Sequence, residues 1–417
     1  MAARFQAPRG TFDVLPADSA ARSSVYVAAA GIFERAGYGR IETPTFEDTE
    51  LFARGVGGAT DIVQKEMFTF EDQGGRSLTL RPEGTAPVCR AYVEHGMHTL
   101  PQPVKLWYWG PYFRHERPQA GRFRQFSQIG LEAIGSDSPL VDAEAIILLD
   151  ELLSSLEVPG VRLRLASLGS SASRAAYLDE LRAHLRDHEG ELSPEVRARI
   201  DANPMRAFDA DDEGTRGVMA AAPSMLDRLD DEDAQHFDAV KRLLEHAGVS
   251  YELDPALVRG LDYYTRTVFE FTCDALGAQS GLGGGGRYDG LVAELGGPDT
   301  AAVGWAAGIE RILLALDRPA EIRPIDVFVV APEAHRERAL AIVTMLRRAG
   351  VCADLDLADR SIKGQMKQAD RSGAPRAVLL DEDGSAQLRY MDTGEQRELD
   401  IANPMEEIER ERARDRS

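Results

Sequence analysis

The sequence predicts an α+β domain that is interrupted by a helical module and followed by a small α/β domain. Three observations predict it. Residues 1–168 mix helical and extended patterns without regular alternation. From about Ser170 to Val249 the pattern turns helical, alanine-rich and acidic, with breaks at Pro194, Pro204 and Pro223. After Arg318–Pro324 short apolar runs alternate with amphipathic ones. Site-like segments resume at Tyr251 and continue to about Leu316, so the first domain is expected to be discontinuous. The expected layout is 1–168 with 250–317, an insertion at 169–249, a linker at 318–324 and a last domain at 325–417.

The 417 residues are 43% hydrophobic, ordinary for a soluble globular protein. The start, MAARFQAPRGTFDVLP, has no apolar run suited to export, and no stretch of eighteen apolar residues occurs. A cytoplasmic protein with no membrane partner is expected. Cys89, Cys273 and Cys352 lie far apart, which suggests neither a disulfide framework nor a zinc site. A net charge of −21 argues against a nonspecific nucleic-acid coat, and no DNA partner is expected. The charge is uneven. Asp187–Asp238 holds five arginines against fifteen acidic residues, read here as a solvated surface, whereas Lys105–Arg124 holds five basic residues against Glu116. That basic patch can meet an anion.

The first element with chemical promise is TLRPEGTAP, Thr79–Pro87. A strand ends there at a Pro-Glu-Gly turn, and Thr85 is placed to cap a following helix. Glu83 and Thr85 would then face one crevice. Next, KLWYWGPYFRHERPQAGRFRQFSQIGLEAI from Lys105 to Ile134 reads as two strands joined by a polar loop around Arg117–Arg122. Parity puts Tyr112, Arg114 and Glu116 on one face of the first strand, and Gln128, Gly130 and Glu132 on one face of the second, with Ile129, Leu131 and Ala133 opposite. An arginine, an amide and a carboxylate over an apolar face suit a charged ligand, and the planar fork of arginine suits phosphate.

Leu257–Phe271, LVRGLDYYTRTVFEF, places an arginine, paired tyrosines and a second arginine at the entry of an apolar strand. At period two, Thr265, Thr267, Phe269 and Phe271 share one face, and Tyr264, Arg266, Val268 and Glu270 the other. GLGGGGRYDGL from Gly281 lacks the GxxxxGK[ST] spacing of a phosphate loop, but its glycines permit close backbone approach to a ligand. In GIERILLAL, Ile309, Ile312, Leu313 and Leu316 form a helical stripe, with Arg311 nearly opposite. Near a helix start and after Gly308, Arg311 could reach a phosphate. The last domain reads as strand DVFVVAP, helix Arg336–Ala349, strand VCADLDL, helix Ile362–Ser372 and strand AVLL, which implies a largely parallel sheet. EEIERERARDRS ends the chain as a charged tail.

Together these segments resemble the class II aminoacyl-tRNA synthetases, and within them the histidyl-tRNA synthetase family. The resemblance runs from Arg9-Gly10-Thr11 to SIKGQMKQADRSGA at Ser361–Ala374. PTFEDTELF resembles the class's first motif, YFRHE with its loop and strand the second, and GIERILLAL the third. LVRGLDYY and GGRYDGL together mark the histidine-reading branch. The resemblance implies a mixed, mainly antiparallel sheet flanked by helices, and an anticodon-binding domain at 325–417.

It also implies that histidine is activated with ATP to histidyl-adenylate and pyrophosphate, then transferred to the 3′ end of tRNA(His) by a homodimer. By the same resemblance Arg114 holds the α-phosphate, Arg311 the γ-phosphate end, and Arg259 the charge developing between carboxylate and α-phosphate, with Glu116 also in the ATP site. Glu83, Thr85 and Gln128 would bind the histidine ammonium, and Glu132 and Tyr264 the imidazole nitrogens, with Tyr263 and Tyr288 shaping the pocket. Arg117, Gln119 and Arg122 would touch the acceptor end. Magnesium would accompany ATP without a protein cage, so no metal ligand is named. His115 has the opposite parity to Arg114 and is not assigned as a base. Ser127 stands where the family usually has histidine, and is expected to tune packing. The alternative reading is a histidine-sensing regulatory subunit of ATP phosphoribosyltransferase; such paralogues commonly lack the last domain and degrade the ATP contacts, whereas Arg114, Arg259 and Arg311 are all present here.

Overall fold

The computed structural model describes residues 5–58, 60–117, 121–317 and 325–400. The expected linker 318–324, the charged C-terminal segment EEIERERARDRS and Gln119 lie outside them. The chain divides into two units, Met1–Ala320 and Glu321–Ser417.

The first unit is built on an eight-stranded sheet. Its strands run from edge to edge as Gly39–Arg40, Val104–Phe113, Gln125–Ile134, Ala302–Gly308, Gly281–Arg287, Thr265–Cys273, Val161–Ser167 and Glu252–Leu253. The two outermost pairs are parallel and the rest antiparallel. The sheet is therefore mixed and mainly antiparallel, as expected. Alternation along the long hairpin decides which face does what. Trp107, Ile129, Leu131 and Ala133 join the large core beneath helices Pro16–Arg35 and Pro139–Ser155, while Tyr108 and Tyr112 face a second core with Val88, Tyr92, Val268 and Tyr288. Trp305 lies on the first face, with its ring T-shaped against Phe33 and its indole N–H donating to the Ala145 carbonyl at 2.8 Å. Pro139 at the first helical position and Ser138, which accepts from the Leu140 N–H, start the helix over that face.

The segment expected to be insertion is helical, with Ser171–Asp187, Glu213–Ala220 and Asp231–His246 as its longer helices. Tyr177, Leu181, Leu185, Val196, Val218 and Met225 pack into a core of their own. Phe237, Val240 and Leu244 of the last helix pack instead into the main core. Part of its acidic run is architectural. Asp230 caps that helix, Asp231, Glu232 and Asp233 fill its first turn, and Asp233 is buried, accepting from Ser170 N at 2.7 Å, Ser173 Oγ at 2.7 Å and Arg266 Nε at 2.8 Å. The expectation of a purely solvated run overlooked that acids gather where helix N–H groups need acceptors.

Two other expectations are corrected. The shared face expected for Tyr264 and Arg266 does not form, because Tyr264 ends the loop LVRGLDYY and the strand begins at Thr265. Its register slips between Gly286 and Arg287, and Arg266 has φ +46°. The bulge breaks the period-two count, so Arg266 turns from Tyr264 toward Glu232 and Asp233. Thr85 does not cap its helix, Thr85–Glu94. Glu83 does, accepting from Thr85 N at 2.7 Å and Ala86 N at 2.9 Å.

The second unit has a five-stranded sheet in the order Ala353–Leu355, Val327–Val330, Arg376–Leu380, Ala386–Tyr390, Gln396–Glu398. Helices Arg336–Arg348 and Ile362–Arg371 supply the crossovers between the three parallel strands. The last two strands are antiparallel additions that the sequence reading did not include.

Candidate active site

On the tyrosine-rich face of the large sheet lies a cleft with about 990 Å³ of empty space counted out to its open mouth. The hairpin forms its floor, the Glu83–Thr85 turn and the Arg259–Tyr264 loop form walls, and the Gly281–Gly284 strand and the start of the Ile309–Leu316 helix complete it. The lining contains Glu83, Thr85, Arg114, Glu116, Arg122, Gln128, Arg259, Tyr263, Tyr264 and Arg311. Residues separated by more than 200 positions in sequence thus meet in one place.

The apolar end is ringed by tyrosines, with ring centroids 4.7 Å apart for Tyr263 and Tyr264 and 5.6 Å for Tyr263 and Tyr288. Behind the lining, Glu132 is fully buried. Its Oε1 accepts from Thr85 Oγ1 at 2.8 Å and the Tyr108 hydroxyl at 3.1 Å, and its Oε2 from the Tyr288 hydroxyl at 2.5 Å. Burial pushes its pKa up to about 8, the three hydroxyls oppose that rise, and the charge of Glu83 adds to it. Glu132 and Tyr288 therefore stand one layer behind the cleft. Gly130 makes the arrangement possible: a Cβ there would lie 2.2 Å from Cζ of Tyr108.

Gln128 Oε1 is buried and, among the described residues, has no hydrogen-bond partner. Arg259 is held on one side by Glu270, Nη1 to Oε1 at 3.1 Å, while its buried Nε has no described acceptor. The glycine strand has a physical reason here. A Cβ on Gly284 would come 3.0 Å from Arg259 Nη1 and 2.5 Å from the Phe269 carbonyl, and one on Gly281 would come 2.9 Å from Glu270 Oε1. The close approach is thus to neighbouring protein groups. At the polar end, Arg114 donates Nε to the Pro82 carbonyl at 2.9 Å and lies over Phe126 at 5.5 Å. Glu116 sits between Arg114, 4.0 Å away, and Arg122, 3.3 Å away. Burial and the nearby charge of Arg122 lower the pKa of Arg311. Arg117 is exposed and outside the lining. His115 is also outside it, with its ring 5.4 Å from Phe68 and its backbone N–H donating to the Glu66 carbonyl at 2.7 Å.

Sequence reasoning missed several supports. Arg22 donates to Ser127 Oγ at 2.8 Å and Glu310 Oε1 at 2.6 Å, while Glu310 accepts from the Ser127 N–H at 3.0 Å. Ser127 is thus a hydrogen-bonded joint between helix Pro16–Arg35, the hairpin and helix Ile309–Leu316. Arg81 is buried, donates to Thr43 and to the Pro111 carbonyl, and lies 4.7 Å over Tyr112. Arg287 has no exposed side-chain surface and is bound to Asp142 and Asp289. Little in the local sequence marks these arginines as internal, because apart from Asp289 beside Arg287 their partners lie tens to hundreds of positions away.

The profile of a family described as histidyl-tRNA synthetase matches residues 10–312, and that of an anticodon binding domain residues 326–411. A histidine–tRNA ligase of Rubrobacter xylanophilus is 48% identical over 95% of this chain and 96% of its own length. One from Synechococcus elongatus is 46% identical over 99% and 96%. The apo crystal structure of Staphylococcus aureus histidyl-tRNA synthetase matches with a TM-score of 0.82 at 37% identity, covering 97% of this chain and all of that one. A Bacillus halodurans protein titled as an ATP phosphoribosyltransferase regulatory subunit/histidyl-tRNA synthetase shares the fold, with a TM-score of 0.68 at 23% identity over 90% and 98%.

Proposed function

The chain belongs to the histidyl-tRNA synthetase family, and from that premise we propose how its residues divide the work. As a member it is an ATP-dependent aminoacyl-tRNA ligase that joins histidine to tRNA through histidyl-adenylate. One observation carries the assignment of roles: Gln128 and Arg259 line the same cleft, and among the described residues Gln128 Oε1 and Arg259 Nε are buried without a hydrogen-bond partner. An acceptor and a cationic donor held apart in one cleft suit the ammonium and the carboxylate of an amino acid.

In the reading this supports, Glu83, Thr85 and Gln128 take the ammonium. Tyr264 and Tyr263 contact the ring, and Glu132 acts on it through the Thr85 and Tyr288 hydroxyls that it orients. The histidine carboxylate oxygen attacks the α-phosphorus as the bond to the pyrophosphate oxygen breaks. Arg259 and Arg114 neutralise the charge that develops there, and Arg311 and Glu116 orient the triphosphate. Fixed guanidinium groups do this without a proton transfer. A ring site that hydrogen-bonds both imidazole nitrogens rejects apolar isosteres, which would leave buried groups unpaired. Glu116 and Glu270, the carboxylates nearest the arginines, are already matched to guanidinium groups. Magnesium is therefore assigned to the ATP phosphates and not to a protein cage.

Arg117 and Arg122, with Gln119 beyond the described residues, are assigned to the acceptor end, and 325–417 to the anticodon. Phe46 and Phe70, exposed and with ring centroids 6.2 Å apart on a three-stranded sheet of Phe46–Asp48, Ser77–Leu80 and Phe68–Glu71 that holds the first part of PTFEDTELF, support a homodimer through that face. No described helix is long and apolar enough to cross a membrane, which agrees with a cytoplasmic location. ATP–pyrophosphate exchange measured with each of the twenty amino acids tests the reading, with exchange expected for histidine and absence of histidine-dependent exchange rejecting it. Sedimentation at several concentrations tests the dimer.

A further inference from the structure

Between Val258 and Tyr264 the backbone belongs to no strand or helix, yet this loop presents Arg259 and Tyr264 to the cleft. One contact with the sheet domain's own backbone is the Asp262 N–H to the Val56 carbonyl, long at 3.3 Å. The loop's carbonyls are held from the other side, by the helical insertion. Arg174, in the first turn of Ser171–Asp187, donates Nη2 to the Tyr264 carbonyl at 2.6 Å. Arg206 donates Nη2 to the Gly260 carbonyl at 3.0 Å, and its Nη1 is fixed by Asp209 at 3.0 Å. Asn203 adds a 3.3 Å contact to Asp262.

Packing holds the loop by its side chains: Leu257, Tyr263 and Tyr264 are part of the second core, where Met205 of the insertion joins them, and Leu261 also meets the cluster of Leu51, Phe52 and Val56. Beside that packing lies a second cleft with about 680 Å³ of empty space counted out to its open mouth, lined by Arg174, Leu178 and Met205 on one side and Val258, Leu261 and Asp262 on the other. Side-chain packing leaves the loop's carbonyls at Gly260 and Tyr264 to be fixed by directed bonds, and those come from Arg206 and Arg174. A backbone carbonyl carries its neighbours with it, so an error of about 1 Å at Gly260 or Tyr264 moves Arg259 and Tyr264 relative to the reacting atoms.

We propose that Arg174 and Arg206 are positioning residues for histidine activation, through which the insertion sets the place of Arg259 and Tyr264. The inference rests on the roles given to those two residues above. Each guanidinium is suited to the task because its planar fork fixes the direction of the bond as well as its length. Neither arginine lines the candidate active-site cleft. The insertion thereby becomes part of the machinery of the first reaction step.

The test uses the full chain in histidine-dependent ATP–pyrophosphate exchange with R174M, R206M, the double variant, R174K and a control. The control is R228M, which breaks the Arg228–Glu180 pair at 2.7 and 2.8 Å inside the insertion and touches nothing in the loop. The double variant is expected to lose roughly 10- to 100-fold in kcat with a raised KM for histidine, and to melt within about 4 °C of wild type. R174K, which keeps a donor, should lie between R174M and wild type, and R228M should match wild type. Wild-type kcat and KM in the double variant overturn the proposal, as does an equal loss in R228M. If the double variant melts early, R174K and R174M decide: equal kcat values for both and for wild type overturn it. Exchange by the wild type alone separates a failure here from a failure of the functional reading.

Discussion

The Tyr288 hydroxyl lies 2.5 Å from Oε2 of Glu132, so a turn from GGRYDGL holds a carboxyl group that has no exposed surface. Burial and the neighbouring carboxylate raise the phenol's pKa, which makes Tyr288 the donor. The pair predicts a pH effect on stability. Burial raises Glu132 from 4.5 to about 8, so between those values the folded state binds more protons than the unfolded one. Its contribution is complete below pH 4.5 and is lost as pH rises toward 8, at about 1.4 kcal/mol per pH unit. E132Q lacks that proton. Thermal melts of both proteins from pH 5 to 8 should show the wild type losing stability relative to E132Q with rising pH, and parallel curves would disprove the coupling.

R259M should lose at least roughly 100-fold in exchange kcat, the scale for removing one donor aimed at developing charge. Histidine binding by calorimetry should remain measurable, because Glu83, Thr85 and Gln128 are untouched. A near-normal kcat would remove Arg259 from the phosphate.

Glu83 serves two structures at once, the cleft and the start of Thr85–Glu94. E83A should lower stability by about 1 kcal/mol through loss of the cap and raise the KM for histidine by more than about tenfold. The KM for ATP should change much less. Equal rises in the two KM values would mean that the substitution distorts the cleft and that Glu83 has no selective contact with histidine.

What the sequence made legible follows from local periodicity. The hairpin's alternation placed Gln128 and Glu132 opposite Ile129 and Leu131, and the sheet keeps that placement from Val104 to Ile134. Periodicity failed at Arg266, where a bulge with positive φ sends the side chain away from the cleft. It also could not rank depth. Gln128 and Glu132 share a face, but only the fold sets Glu132 behind Thr85 and Tyr288. The ties of Arg22 to Glu310 and Arg174 to Tyr264 span 288 and 90 positions, so no local pattern encodes them.

GGRYDGL owes its arginine to the interior. Arg287 and Asp142 have no exposed side-chain surface, and Arg287 also donates to the Ser136 carbonyl at 3.0 Å and the Ser138 carbonyl at 3.2 Å. It thereby fixes the turn before helix Pro139–Ser155 to the strand that leads into Tyr288. Proximity to Arg287 and His236 outweighs burial at Asp142 and keeps its pKa below the usual carboxylate range. R287M leaves that carboxylate buried beside only His236, 3.5 Å away, and should cost roughly 3–5 kcal/mol. Replacing the pair together, as R287M/D142L, removes the unpaired charge and should recover a large part of that loss in thermal melts. Because Tyr288 hangs from the same turn, both variants should also raise the KM for histidine, R287M more than the double. If R287M melts like the wild type, the buried pair is not what anchors Tyr288 against Glu132.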